Sequence, residues 1–193
     1  LEIEAAAEFL ATATPQTIDV LVVSGHSCLC TTVFGFYPEF SGIFEKRDHG
    51  GRWWKKTLKL VMGLPKTFIR ARPIPLTWKA DGKQGSARTK FAAFVPGRYK
   101  SSAGIIPART DFSSGKMTGH IGTHRTASAA SRAILDYLLG RHEENPKLDV
   151  IQAASIELNA RGRKHLTAML DGEILRLPLP IYLDIRPAHL LVL

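Results

Sequence analysis

The stretch KHLTAMLDGEILRL, residues 164–177, indicates how this sequence folds. Two strand-like runs, 164–170 and 173–177, flank the pair Asp171-Gly172. Asp-Gly is a favoured pair for the two-residue turns that join antiparallel strands, because both turn positions require a positive φ angle. The stretch therefore predicts a β-hairpin with its turn at Asp171-Gly172.

Similar strand-like runs recur on both sides of this hairpin. Turn signals at Ser24-Gly25-His26 and Asp81-Gly82 separate neighbouring runs. Helical spacing predicts a short helix over 3–13 and two longer helices, near 52–64 and 125–139. The further predicted strands are 17–23, 27–34, 69–80, 87–95, 116–122, 151–159 and 182–185. We therefore expect residues 1–193 to form a single domain that is mainly β (α+β), an antiparallel β-sandwich-like fold with two inserted helices.

The composition is that of a globular domain. The chain is 45% hydrophobic and 22% charged, as in globular domains, and it holds no apolar run of about 18 residues that could span a bilayer. The net charge is +9, and residues 45–100 hold fifteen Lys or Arg against three acids. Such a basic region attracts phosphate-rich partners, either nucleic acid or anionic membrane, although it can also be a solvated face.

Cys28 and Cys30 form a C-x-C pair inside the apolar run 27–34. Alternation along a strand would put both on one face, so we expect two packed thiols without a disulfide. Reduced cysteines favour a cytoplasmic location.

The stretch 51–62 combines tandem tryptophans with lysines at helical spacing. Trp and Lys in this arrangement suit the interface of an anionic membrane, and the alternative is a helix docked on the sheet with its lysines in water. The candidate membrane- or anion-binding residues are Arg52, Trp53, Trp54, Lys55, Lys56 and Lys59.

The Asp-Gly-Glu turn offers two carboxylates, Asp171 and Glu173. One of them could accept a proton or bind a ligand, and the alternative is a turn without chemistry. Neither a P-loop nor a G-x-G-x-x-G segment follows a predicted strand, so no nucleotide-binding loop is expected in this chain.

The ending of the chain resembles that of the diacylglycerol kinase catalytic family, which includes bacterial diacylglycerol kinases and sphingosine and ceramide kinases. The similarity lies in the Asp171-Gly172-Glu173 turn, in Pro178-Leu179-Pro180 and in the final run Ile185–Leu193. The beginning is similar to the family as well, through Thr17–Val20, Ser24-Gly25 and Phe34-Gly35.

The resemblance implies a two-domain ATP-dependent kinase that phosphorylates the hydroxyl of diacylglycerol or a related lipid. This chain would be its carboxy-terminal, lipid-side domain, without the amino-terminal ATP-binding domain and its Gly-Gly-Asp-Gly-Thr loop. Asp171 would be the base that takes the proton of the lipid hydroxyl, with Glu173 beside it. ATP and Mg would belong to the parent enzyme, and the chain alone would bind neither and be inactive.

The family also holds a structural metal through an acidic segment. The corresponding residues here are 107–115, where Ser113 and Ser114 replace acids and Asp111 is out of register. Hydroxyls are poor substitutes for carboxylates around a hard cation, so no metal ligands are assigned.

The implied partners are a lipid substrate, an anionic membrane surface and the missing amino-terminal domain, with a homodimer as an open alternative. The implied location is cytoplasmic and peripheral to the membrane. Two other functions stay open: a non-catalytic basic domain that binds anionic membrane and, less favoured, a nucleic-acid-binding domain. The tryptophans at 53 and 54 lack the strand pattern of RNA-binding aromatics, and no zinc or helix-turn-helix signature occurs.

Overall fold

A computed structural model of the chain describes residues 11–36, 68–100, 108–123, 126 and 148–193. These residues form fourteen strands. The strands are β1 Gln16–Val23, β2 His26–Cys28, β3 Thr32–Gly35, β4 Ile74–Ala80, β5 Lys83–Thr89, β6 Phe91–Pro96, β7 Arg98–Lys100, β8 Ala108–Asp111, β9 Met117–Gly122, β10 Leu148–Ala153, β11 Ser155–Ala160, β12 His165–Leu170, β13 Glu173–Pro178 and β14 Ile181–Val192.

Twelve of these strands make two antiparallel sheets of six. The first sheet has the order β2-β1-β14-β11-β4-β5, the second has the order β10-β9-β6-β3-β12-β13, and β7 and β8 form a separate ribbon. The predicted mainly β, antiparallel sandwich-like architecture is therefore confirmed. The helices predicted near 52–64 and 125–139 lie outside the described residues, as does most of the one predicted over 3–13. No helix in the described part of the chain is long and apolar enough to cross a membrane.

The two sheets bury their inner faces in one core. Leu21, Leu76 and Ile156 enter it from the first sheet, and Phe34 and Phe94 enter it from the second. The rings of Phe34 and Phe94 meet edge to face with their centroids 6.0 Å apart. A Cβ atom on the neighbouring Gly119 would lie 2.6 Å from the ring of Phe94, so this ring needs a glycine beside it.

The three predicted turns are present, and each has a positive φ at both central residues. The angles are 46° and 101° at Asp171-Gly172, 44° and 81° at Asp81-Gly82, and 46° and 91° at Ser24-Gly25. Positive φ at both positions is the geometry of a type I′ turn, which matches the twist of the strands that it joins.

Three runs that were each predicted as one strand are two strands in different sheets. The run 27–34 breaks at 29–31 into β2 and β3, the run 87–95 breaks at Lys90, and the run 151–159 breaks at Ala154. The apolar pattern continues across each break, because both strands face the same core, and so the crossing between sheets leaves little trace in the sequence. The strand predicted over 69–80 begins only at Ile74, after a helical turn at 68–70.

The sandwich has two ends, which differ in charge. The carboxylate end holds the turns at Asp81 and Asp171, the loop 111–115 and the break at Ala154. The basic end holds the β11–β12 loop 161–164 and the segment 69–73 before β4. Strand β12 runs from the second end to the first over six residues, which corresponds to about 17 Å.

Candidate functional site

Asp171 lies at the β12–β13 turn and binds the loop between β2 and β3. One carboxylate oxygen, Oδ2, accepts the Leu29 N–H at 2.5 Å. The other, Oδ1, accepts the N–H groups of Cys30 at 2.9 Å and Thr31 at 2.8 Å. The backbone N–H of Asp171 donates in return to the Thr31 carbonyl at 3.0 Å. The carboxylate thus holds three consecutive amides of a chain segment about 140 residues away.

These contacts keep Asp171 ionised. Partial burial by itself would raise the pKa of this carboxyl group. The hydrogen bonds from Leu29, Thr31 and Cys30, together with one from the Cys28 thiol, outweigh burial and hold the pKa of Asp171 below its usual value. The group is therefore a carboxylate at neutral pH, and a weaker base than a free aspartate.

The two cysteines differ, contrary to the expectation that both are packed. Cys28 is buried at the end of β2, where its thiol donates to Asp171 Oδ1 at 3.2 Å and accepts the Thr32 hydroxyl at 3.2 Å. Burial raises the pKa of Cys28 to about 12; the Thr32 hydrogen bond opposes this shift and the charge of Asp171 adds to it. Cys30 is exposed, because β2 ends at Cys28 and strand alternation does not extend to residue 30.

Glu173 begins β13, opposite Leu170. Its side chain is exposed and forms neither a hydrogen bond nor an ion pair within the described part of the chain. The turn therefore carries one carboxylate held by the protein and one that is open to solvent.

A second carboxylate, Asp19, organises the same end and is fully buried. It lies at a β-bulge of β1, where the pairing with β14 shifts between Ile18 and Val20. Its Oδ2 accepts the Gly115 N–H at 2.7 Å, and its Oδ1 accepts the Ala188 N–H at 2.9 Å. Asp19 thus fixes the loop before β9 and a left-handed residue of β14, since Ala188 has φ 48°.

The segment that corresponds in sequence to the family's metal-binding segment contains a positively charged side chain, that of Arg109. The Arg109 guanidinium donates to the carbonyl oxygens of Asp19 at 3.0 Å, Asp111 at 3.0 Å and Phe112 at 3.3 Å. Asp111 Oδ1 faces the Ser113 N–H at 3.3 Å. Among the described residues no three His, Cys, Asp or Glu side chains cluster as metal ligands. These residues do not fit a structural metal, because Ser113 and Ser114 supply hydroxyls in place of carboxylates and the Arg109 guanidinium puts a fixed positive charge among the carbonyl oxygens of the segment.

The structure brings together some of the predicted site residues. Asp171 and Glu173 share one turn, and the segment that contains Asp111 lies at the same end of the sandwich. The six candidate membrane residues between Arg52 and Lys59 lie outside the described residues. Sequence reasoning missed the roles of Asp19 and Arg109. A lone carboxylate inside the apolar run 18–23 was the available signal for Asp19.

The architecture is similar to that of solved proteins described as diacylglycerol kinases. No family model matches the sequence. A diacylglycerol kinase of Bacillus anthracis strain Sterne superposes with a TM-score of 0.63 at 13% identity, over 98% of this chain and 58% of its own. Two further proteins of that organism, provisionally assigned as diacylglycerol kinases, give TM-scores of 0.65 and 0.63 at 18% and 16% identity. They too are matched over 98% of this chain, and over 61% and 60% of their own.

These likenesses show a shared fold. The chain spans about three fifths of the length of these structures. Its two-sheet architecture is therefore that of diacylglycerol kinase-like proteins, and the activity of the whole protein is a matter for proposal.

Proposed function

We propose that this chain is the carboxy-terminal, substrate-side domain of an ATP-dependent lipid kinase that phosphorylates the hydroxyl of diacylglycerol or a related lipid. The observation that carries the proposal is the Asp-Gly-Glu turn, whose Asp171 is kept ionised by three amides of the loop 29–31. The turn lies on a fold shared with diacylglycerol kinases.

In this proposal Asp171 accepts the proton of the lipid hydroxyl. The hydroxyl oxygen forms a bond to the γ-phosphorus of ATP, the bond from that phosphorus to the leaving ADP oxygen breaks, and the hydroxyl proton passes to the carboxylate. Phosphoryl transfer proceeds through a loose transition state and depends mostly on positioning and charge neutralisation. Because Asp171 is a weaker base than a free aspartate, the proton transfer is proposed to follow formation of the bond to phosphorus, which makes the hydroxyl acidic.

Glu173 is proposed to act beside Asp171. It is exposed and without a partner within the described residues, so it is free to orient the turn or to face a phosphate-bound cation. ATP and Mg are assigned to the parent enzyme, whose amino-terminal domain would bind them, and this chain alone would bind neither tightly.

The exposed end of β14 supports a contact with that domain. Leu191 and Leu193 are 65% and 64% exposed, and Leu190 is 36% exposed. Leu190 and Leu191 pair only with the beginning of β1, and Leu193 follows the end of β14. We propose that the amino-terminal domain covers them in the parent enzyme.

The proposed location is the cytoplasmic side of a membrane, as a peripheral protein. Arg52, Trp53, Trp54, Lys55, Lys56 and Lys59 remain the proposed membrane-binding residues of the stretch 51–62. A second candidate function is a non-catalytic domain that binds anionic membrane, which the exposed cations of the basic end favour.

A phosphate-transfer assay tests the proposal. The protein extended by its amino-terminal domain should move the γ-phosphate of labelled ATP onto diacylglycerol in mixed micelles, whereas the 193-residue chain alone should not. Lack of transfer to diacylglycerol and to related lipid alcohols, by an extended protein that binds Mg-ATP, would contradict the proposal. Vesicle binding without transfer would favour the second candidate.

A further inference from the structure

The basic end of the sandwich is a cluster of exposed cations that the proposed chemistry does not use. Three of them follow β11 in the loop that leads to β12: Arg161, Arg163 and Lys164. Arg70 and Arg72 lie in the segment before β4. All five side chains are exposed, so their charges face water.

Backbone contacts join these two segments. The Arg161 N–H donates to the Pro75 carbonyl at 3.1 Å, which places the β11–β12 loop against the beginning of β4. Pro75 is paired with Arg88 of the edge strand β5, whose side chain is also exposed. The six cations therefore lie at the same end of the sandwich, and they are called the basic patch hereafter: Arg70, Arg72, Arg88, Arg161, Arg163 and Lys164.

Within the described residues, no acid neutralises the charges of the basic patch. Lys79 and Glu157 form the one ion pair of the described residues, and neither belongs to the patch. No side chain of the patch has an ion pair or hydrogen bond in the described ranges. The acid described at this end, Asp149 of the edge strand β10, lies four strands from β12, or about 19 Å.

The apolar groups of this end point to the kind of partner. Ile69 is 60% exposed and directly precedes Arg70. The nearby rings of Phe36 and Phe68 are buried, and they pack edge to face with their centroids 5.2 Å apart. Bases of single-stranded nucleic acid need exposed rings for stacking, whereas an exposed aliphatic side chain among cations suits the headgroup region of an anionic membrane.

From this arrangement we infer that the basic patch, with Ile69, docks the domain on anionic membrane. The inference deepens the membrane contact of the proposed function, and it rests on residues other than the stretch 51–62. The patch lies about 17 Å from the Asp171 turn, measured along β12. At this distance the patch does not contact the hydroxyl that Asp171 is proposed to deprotonate, and its proposed ligands are lipid headgroups.

Sedimentation of the full 193-residue chain with vesicles tests the inference. Vesicles of phosphatidylcholine with phosphatidylserine should bind the chain, more weakly as salt rises, and pure phosphatidylcholine should not. The triple variant Arg161→Gln/Arg163→Gln/Lys164→Gln should bind on the order of 100-fold more weakly, since each cation near an anionic membrane contributes about fivefold. Thermal melts should stay close to wild type, because all three side chains are exposed.

A matched control removes three cations from the opposite end. Lys83, Lys116 and Arg186 are exposed at the carboxylate end, and Lys83→Gln/Lys116→Gln/Arg186→Gln makes the same change in net charge. Near-equal losses in the two triple variants would overturn the inference, because binding would then follow net charge alone. Undiminished binding of the first variant, or tighter patch-dependent binding to a single-stranded oligonucleotide at equal salt, would overturn it as well.

Kinase activity is read separately, so the two proposals can fail independently. Micelle-dispersed substrate removes the need to dock on a vesicle. An extended enzyme with the Arg161/Arg163/Lys164 substitutions should therefore keep its turnover in micelles and lose it on anionic vesicles. Loss of turnover in both would contradict a docking role for these three residues.

Discussion

The carboxylate end and the basic end of the sandwich both concentrate charged side chains, but these side chains differ in their hydrogen-bond partners. At the carboxylate end, Asp19, Asp81 and Asp171 each accept backbone N–H groups from other segments. At the basic end, the cations of the basic patch have no partner among the described residues. Charge that is satisfied internally fixes loops in place, whereas charge left in water is available to a partner. The first arrangement suits a chemical site and the second suits a docking surface.

The largest expected effect is on turnover, from Asp171→Asn in the amino-terminally extended enzyme. General-base catalysis is worth about 10²–10⁴-fold, so turnover should fall by that factor. Glu173→Gln should reduce turnover less, because Glu173 is proposed to assist rather than to accept the proton. Steady-state kinetics in mixed micelles measures both, and a larger loss in Glu173→Gln would transfer the proton-accepting role to Glu173.

Removal of the buried carboxylate Asp19 should have the largest effect on stability. Asp19→Ala removes the charged acceptor of the Gly115 and Ala188 N–H groups, and hydrogen bonds to charged groups contribute about 1.5–3 kcal/mol each. Urea unfolding should therefore show a loss of about 3 kcal/mol. Asp149→Ala, at an exposed position, is the control and should change stability by less than about 0.5 kcal/mol. Equal losses would show that Asp19 does not organise the carboxylate end.

Arg109 should contribute somewhat less than Asp19 to the free energy of unfolding. Arg109→Met keeps the length of the side chain but removes hydrogen bonds to three carbonyl oxygens, for a loss of about 2 kcal/mol in urea unfolding. Arg176→Met, at an exposed site, is the matched control. Because the guanidinium occupies these oxygens, neither Mg²⁺ nor EDTA should shift the melting temperature of the wild-type chain. A saturable rise of the melting temperature with Mg²⁺ would contradict the conclusion that this segment does not fit a metal ion.

A smaller effect is expected on the pH dependence of stability, through the hydrogen bonds between Asp171 and the loop 29–31. The lowered pKa of Asp171 means that its ionised form favours the folded state. That contribution is complete above the unfolded pKa of about 4 and is lost as pH falls through the lower folded value. The side chain lies at the surface, so solvent screening limits the contribution to about 1 kcal/mol. Thermal melts of wild type and Asp171→Asn should therefore converge as the solution is acidified below about pH 4; a constant gap would contradict the linkage.

The two thiols should differ in reactivity. The neutral Cys28 thiol, with its pKa raised to about 12, should resist alkylation at pH 8, and the exposed Cys30 should react first. Mass spectrometry after brief iodoacetamide treatment measures the order. Labelling of Cys28 before Cys30 would place the Cys28–Asp171 contact in doubt.

Much of the fold could be predicted from sequence, because hairpins are local. The turns at 24–25, 81–82 and 171–172 were each signalled by residues that tolerate positive φ. The crossings between sheets were not predictable, since the strands on both sides of Lys90 and of Ala154 face the same core and continue one apolar pattern.

The candidate site could be predicted only in part. The motif identified Asp171 and Glu173, but the hydrogen bonds between Asp171 and residues 29–31 join segments about 140 positions apart. No local pattern encodes such a contact. The buried position of Asp19 and the convergence of three carbonyl oxygens on Arg109 likewise depend on tertiary structure.

A comparison of two similar turns tests the central claim most directly. Asp81-Gly82 and Asp171-Gly172 share the type I′ geometry and the same end of the sandwich, and each aspartate accepts backbone N–H groups from another segment. Asp81→Asn and Asp171→Asn should each lower the stability of the extended enzyme by about 1 kcal/mol. Turnover on diacylglycerol should stay near the wild-type value in Asp81→Asn and fall about 10²–10⁴-fold in Asp171→Asn. Equal turnover in the two variants would show that the Asp-Gly-Glu segment is a structural turn and would contradict its assignment as the catalytic site.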